Sequence, residues 1–436
     1  MNNLKGLIVY SITMMLERMS FYAMMSILIL SFMEQRGNSG DEAGYNYAVF
    51  YFSIYVSMLI MGLVGDIVNR RKIIIAGLLI MAIGYILYFM MSKESEISLI
   101  ISGVFIVLGL GAFYTNLQVQ VGDLYKNSFK NGAMGYLIFY MFINVGALIA
   151  PYASIYIKKE FGVEAVFLFC GCATFLALAL YYLVPVSMET EDEFRNKQRK
   201  AVTDDIIDVP DIVPIKENPV NTGYGTDKIT GLIFLALLVP FLWSAFHQTG
   251  LIFTFYMRDF IEMNGQSAEV VQSYNPVLIV LFSLIGVALM YFFVKMKKIH
   301  SIFLFIGTGI IIVAAGYSIP AYGLANITDK LSYSYAIIPM VLFSLGELFI
   351  TPFIFLGYYH FSPARVRGLF MGLFIILSAA GNQLLFLYAA DYEVFGAPYA
   401  FNKIVIHILI CAAAVFLVWY LVKRLGSRRK NLEGGN

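Results

Sequence analysis

Runs of about twenty mainly apolar residues, parted by short polar breaks, recur along the chain, and each is long enough to cross a bilayer as a helix. Twelve are predicted: residues 6–33, 46–66, 72–92, 98–124, 132–157, 163–186, 230–257, 271–295, 300–324, 335–360, 367–390 and 401–424. Several hold Gly or Pro within them (Gly109, Gly111, Pro151, Pro240, Pro276, Pro352). A spanning helix tolerates these when neighbouring helices re-satisfy the freed backbone. Residues 187–229 break the pattern. They mix Glu189, Glu191, Asp192 and Glu193 with Arg195, Lys197, Arg199 and Lys200, then bring Pro210, Pro214 and Pro219. With no apolar period and only about 40 residues, a marginal length for a core of their own, they read as a linker. The expectation is an all-α membrane protein of twelve transmembrane helices in two six-helix bundles, residues 1–186 and 230–424. A cytoplasmic linker at 187–229 joins them, and a cytoplasmic tail follows at 425–436.

Composition fixes the class. Hydrophobic residues are 60% of the chain and charged ones 13%, roughly half the charged share of soluble domains. Basic residues orient the helices. On the side that would hold both termini fall 22 of the 30 Lys and Arg, including Arg70, Arg71, Lys72, six in the linker and five in the tail, against seven on the other side. That asymmetry puts both termini in the cytoplasm of a cell (inner) membrane. The first apolar run is too long for a signal peptide and lacks a clear cleavage site, so it is expected to remain as the first span.

Little else in the composition points to chemistry. The cysteines (Cys170, Cys172, Cys411) lie in apolar runs, and the histidines (His247, His300, His360, His407) are scattered over four segments. No metal-ligand spacing, Gly-rich phosphate loop or nucleophile–base set is present, which argues against an enzyme. No metal, cofactor or nucleic-acid partner is expected. The expected partners are a small-molecule or short-peptide substrate, protons and the lipid bilayer.

Charge inside the apolar runs changes the picture. Glu17 and Arg18 stand side by side within residues 6–33, where an ion costs about 2.5–3.5 kcal/mol even on a lenient insertion scale. Such residues are kept where they face protein or water, so a functional site is the default reading. The alternative is an interfacial pair with Arg18 reaching to the headgroups. Adjacent helical positions point about 100° apart, so the two are expected to seek separate partners.

After the second run comes Gly62-Leu-Val-Gly-Asp66-Ile-Val-Asn-Arg70-Arg71-Lys72. Asp66 can cap a neighbouring helix while Arg70 and Arg71 hold the cytoplasmic face. The loop resembles the signature of major facilitator transporters, whose halves rock around a midplane site.

Seven further motifs, in order, resemble the proton-coupled oligopeptide transporter family. Glu17-Arg18-Met-Ser-Phe21-Tyr22 is similar to its E-x-x-E-R-F-x-Y-Y, and Gly109 to Asn116 with Val121-Gly122-Asp123 to its span-four motif. Phe139-Tyr140 with Ile143-Asn144 and Gly146, Leu242-Trp243 with Phe246-His247-Gln248, and Asn275-Pro276 follow. Gly346-Glu347 and Ser362-Pro363-Ala-Arg365-Val-Arg367-Gly368 complete the series. The resemblance implies a facilitator fold and proton symport of di- or tripeptides. It implies that Tyr22, Tyr55, Asn144, Asn275 and Glu347 line the pocket, the last three receiving a substrate's amino end. It also singles out Tyr114, Trp243 and His247 by position.

The departures bear on mechanism. The first Glu of E-x-x-E-R falls at Met14. The two cations implied to hold a peptide carboxylate fall at Met25 and Tyr114, and the gate Glu of span seven is His247. The amine side of a dipeptide site is kept and the carboxylate side is neutral. Glu347 is therefore expected to be both the principal substrate contact and a proton carrier, with Glu17 and Arg18 as the second proton site and Tyr114 donating to Glu347; a packed neutral acid is the alternative. His247 is either a proton switch or a hydrogen-bonded structural residue. Gln118, Gln120, Gln248, Asn382 and Gln383 are expected to bond between helices, though Asn382 and Gln383 could instead reach the pocket. The function expected is a secondary transporter for a peptide-like or amine-bearing solute. Two alternatives stay open: a non-peptide solute carrier or exporter, and a non-cycling transporter-like receptor.

Overall fold

The computed structural model describes residues 2–36, 39–91, 96–184, 225–292, 301–325, 327 and 329–433. In chain order these form α1 (Asn2–Arg36), α2 (Gly40–Ile67), α3 (Arg70–Met91), α4 (Glu96–Leu124), α5 (Phe129–Phe161) and α6 (Val163–Leu183). Then come α7 (Thr226–Phe246), α8 (Ile252–Phe260), α9 (Ala268–Phe292), α10 (Ser301–Ala325), α11 (Ser334–Phe361), α12 (Arg367–Asn382), α13 (Phe386–Phe395) and α14 (Ala397–Glu433). Among the described residues twelve spans are long and apolar enough to cross a membrane, α7 with α8 and α12 with α13 each making one. The protein is thus a multi-pass, all-α membrane protein.

Local chemistry sets several helix ends. Ser39 opens α2 with a reciprocal cap, accepting from the Glu42 amide while the Glu42 carboxylate accepts from its own, which satisfies two otherwise orphaned donors. Between α5 and α6 the turn narrows to Gly162, held at φ 91°, a backbone state that residues with a Cβ avoid. The second bundle begins at Thr226, not residue 230, and the expected tail continues α14 as helix to Glu433. Residues 187–224 of the expected linker lie outside the described residues.

The two bundles repeat one packing plan. In the first, α1 packs on α5 and α6, α3 on α4 and α6, and α2 on α4. In the second the corresponding spans do the same: α7 packs on α12 and α14, α10 on α11 and α14, and α9 on α11. A close crossing recurs too. Gly109 of α4 presses on the backbone of α3 at Gly77, and Gly346 of α11 lies against Gly309 of α10, where a built Cβ would sit 2.8 Å from the Gly309 carbonyl oxygen. Small residues let spanning helices approach this closely when no hydrophobic force drives them together. That crossing fixes the rotation of α11, and Glu347 is its next residue.

Candidate functional site

The side chains at the centre come from both bundles. Glu347 sits midway along α11 and is half-buried. Tyr140 of α5, in the other bundle, donates its hydroxyl to Oε1. Asn275 of α9 donates to Oε2 at 3.0 Å and to the Ser344 hydroxyl at 3.1 Å. Among the described residues no Lys or Arg pairs with this carboxylate. The hydroxyl expected to reach it was that of Tyr114. Tyr114 instead lies over Arg18, and Tyr140 is the donor. Tyr140 stands four residues before Asn144, one turn away on the same face, and that spacing was the available signal. Asn144 is turned inward on its own helix, donating to the Tyr140 carbonyl at 3.0 Å.

Glu17 and Arg18 pair with each other, contrary to expectation. Arg18 Nε and Nη2 each lie 2.7 Å from a Glu17 carboxylate oxygen. Adjacent Cβ atoms do diverge, but both stems are long enough to curl back. In a dry interior the two-point ion pair outweighs the strain of doing so. Glu17 is 0% and Arg18 4% exposed. The guanidinium carbon lies 4.4 Å from the ring centroids of Phe21 and of Tyr114 and 5.7 Å from that of Tyr22. The pair is a sealed, neutral floor beneath Tyr22 and Tyr114.

Tyrosines cluster beside this pair. Tyr22 is 37% exposed and within electrostatic reach of Tyr51 and Tyr140. On α2, Tyr55 meets Tyr51 edge-on at 5.0 Å, and Tyr51 stacks on Tyr47 at 6.0 Å. Trp243 and His247 lie where α7 ends. His247 Nδ1 is hydrogen-bonded to the Asn382 side-chain amide at 2.5 Å. Gln248 donates to the Ser244 carbonyl at 2.9 Å and to the Leu385 carbonyl at 3.5 Å. The breaks in spans seven and eleven thus lie side by side, tied by His247–Asn382 and Gln248–Leu385. Trp243 packs on Phe246 and edge-on against Phe374.

Direct contacts between the bundles gather at the face where α1 begins and α14 ends, here the terminal face. Asp66 accepts from the amides of Gly368 and Leu369 at 2.8 Å each, capping α12 across the interface, and pairs with Arg70. Arg70 also reaches Asn116 at 3.3 Å and Asp123 at 3.7 Å. Asp123 in turn accepts from Tyr359 at 2.7 Å and from Arg367 at 3.4 Å. One turn before Asp66 on α2, Gly62 meets Gly368 of α12 in backbone contact. Arg71 stands apart, donating to the Tyr182 carbonyl of α6 at 3.3 Å. Asp123, Tyr359 and Arg367 had no assigned role in the sequence. Acidic and basic residues at the ends of spans four and eleven were the sign. The network closes the terminal face below the Glu347 level.

Known proteins can now be set beside this geometry. The family model described as Major Facilitator Superfamily matches residues 10–384. The peptide transporter YePEPT of Yersinia enterocolitica subsp. palearctica serotype O:3 (strain YE-P4) is 27% identical, over 94% of this chain and 93% of its own. Dipeptide and tripeptide permease B of Shigella dysenteriae serotype 1 (strain Sd197) is 29% identical over 38% of this chain and 34% of its own. In three dimensions the chain is similar to a POT family transporter solved in complex with 5-aminolevulinic acid. The TM-score is 0.62 at 20% identity, covering 96% of each chain, a likeness of fold. With a family model spanning most of its length and two matching six-span bundles, the chain belongs to the Major Facilitator Superfamily.

Proposed function

We propose that this protein is a secondary transporter that carries a small amine-bearing or peptide-like solute by alternating access, coupled to protons through Glu347. The observation that carries the reading is the placement of Glu347. Its carboxylate lies between the bundles, held by Tyr140 from one and Asn275 from the other, without a counter-cation among the described residues. Enclosing an uncompensated carboxylate costs several kcal/mol, so a proton or a solute ammonium must neutralise it before the halves close over it. That requirement couples occupancy to movement.

The peptide transporters among its relatives support the solute class. The basic residues concentrated around the terminal face support placing that face in the cytoplasm of a cell (inner) membrane. On that reading the structure is open away from the cytoplasm. The Asp66–Arg70–Asp123–Arg367 network is the inner gate, and the paired breaks at His247 and Asn382 are where the outer halves α8 and α13 would bend. Tyr22, Tyr55, Tyr114 and Trp243 complete the pocket wall, with Asn144 behind Tyr140. Glu17 and Arg18 support Tyr114 from below.

Counterflow tests the reading. Purified protein in proteoliposomes, preloaded with an unlabelled dipeptide or dipeptide amide, should accumulate the labelled form transiently. A ligand-induced rise in melting temperature without any exchange would identify a receptor and refute transport.

A further inference from the structure

Tyr140, which bonds Glu347, and Tyr22, within reach of Tyr140, bring no positive charge to it. The guanidinium of Arg18, beside Tyr22 and Tyr114, is cancelled by two 2.7 Å contacts to Glu17 and covered by the rings of Phe21 and Tyr114. We infer that the solute is a monocation, an ammonium-bearing molecule whose other end carries no free carboxylate. This rests on the reading of the chain as a carrier for amine-bearing solutes and narrows it.

Charge balance carries the argument. An ionised Glu347 with neutral donors gives the chamber a net negative charge, and one ammonium cancels it. A zwitterion brings a second carboxylate into a space whose other assigned groups, phenols, amides, a hydroxyl and an indole, are all neutral. Burying that carboxylate without a cation is strongly unfavourable. Where the resemblance implied cations, Met25 is half-buried and apolar, and Tyr114 lies over Arg18.

The approach to the site has the same preference. Tyr47, Tyr51 and Tyr55 recur every four residues on α2 and so share one face. Their rings form a continuous row, with centroids 6.0 and 5.0 Å apart. Helix α2 begins at the face away from the termini, so the row descends from the open side toward Tyr22. Tyrosine rings attract ammonium groups through their negative faces, and their hydroxyls can bond a carboxylate but cannot cancel its charge.

A matched pair of solutes tests this: alanyl-alanine, and alanyl-alanine amide, which differs in lacking the terminal charge. In counterflow the amide should exchange with an apparent affinity at least about tenfold tighter. Glu347→Gln should erase that preference. Tyr51→Leu should weaken amide exchange by about two- to fivefold, while Tyr51→Phe, which keeps the ring, should not. If the free dipeptide exchanges as well as the amide or better, the inference is overturned but the transport reading stands. If neither exchanges, both fall.

Discussion

Replacing Asp66 by Asn should open the terminal face. Asp66 accepts two amide protons from the start of α12 at 2.8 Å, and those bonds cross between bundles, so they exist only while this face is closed. Its pairing with Arg70 lies within the first bundle and persists in either state. A hydrogen bond to a charged group is worth about 1.5–3 kcal/mol, and a negative charge at a helix start adds about 0.3–1 kcal/mol. Asn keeps one acceptor and loses the charge. The closed state should therefore lose about 2–3 kcal/mol relative to the open one, a shift of about 30- to 150-fold in their ratio. The assay is a spin-label distance between Asn69 and Arg365, exposed positions on opposite bundles at this face, with the three cysteines replaced by serine. The parent should give one short distance, and Asp66→Asn should move most of the population to a longer one. An unchanged distribution in a folded Asp66→Asn protein would refute the assignment of Asp66 to a gate.

Further outcomes follow from the same geometry. Gly368→Ala places a Cβ 2.9 Å from the Gly62 carbonyl carbon; overpacking of this kind costs about 1–3 kcal/mol, and the same spin pair should report partial opening. Tyr140→Phe leaves Glu347 bonded to Asn275 alone. The unliganded protein should melt lower and show a larger rise on adding an ammonium solute, which supplies the missing donor. His247→Gln should retain transport and its pH profile, because His247 serves as a partner for Asn382; loss of the pH dependence would instead make His247 a proton switch.

Much of this was legible in the chain, for identifiable reasons. All twelve spans were visible because each needs about twenty apolar residues whatever its neighbours. The capping role of Asp66 was visible because an acid between a helix end and a basic cluster has few other uses. The breaks in spans seven and eleven were not. Hydropathy registers composition, and the residues at Gln248 to Leu251 and Gln383 to Leu385 leave the runs apolar enough to pass as straight helices. The Glu17–Arg18 pair was misread because helical spacing describes where Cβ atoms point, whereas long side chains can double back. The donor to Glu347 was placed on Tyr114 when the bundle geometry puts Tyr140 there. One sequence cannot tell which of two tyrosines on neighbouring helices faces a third.

The central claim is that a single carboxylate couples solute to proton, and solute-driven proton movement measures it directly. Proteoliposomes holding a trapped pH dye are given an inward gradient of the exchanging solute at zero membrane potential. The parent protein should shift the internal pH, and Glu347→Gln should exchange labelled solute or bind it weakly while leaving the internal pH flat. A pH shift in Glu347→Gln equal to that of the parent would contradict the account.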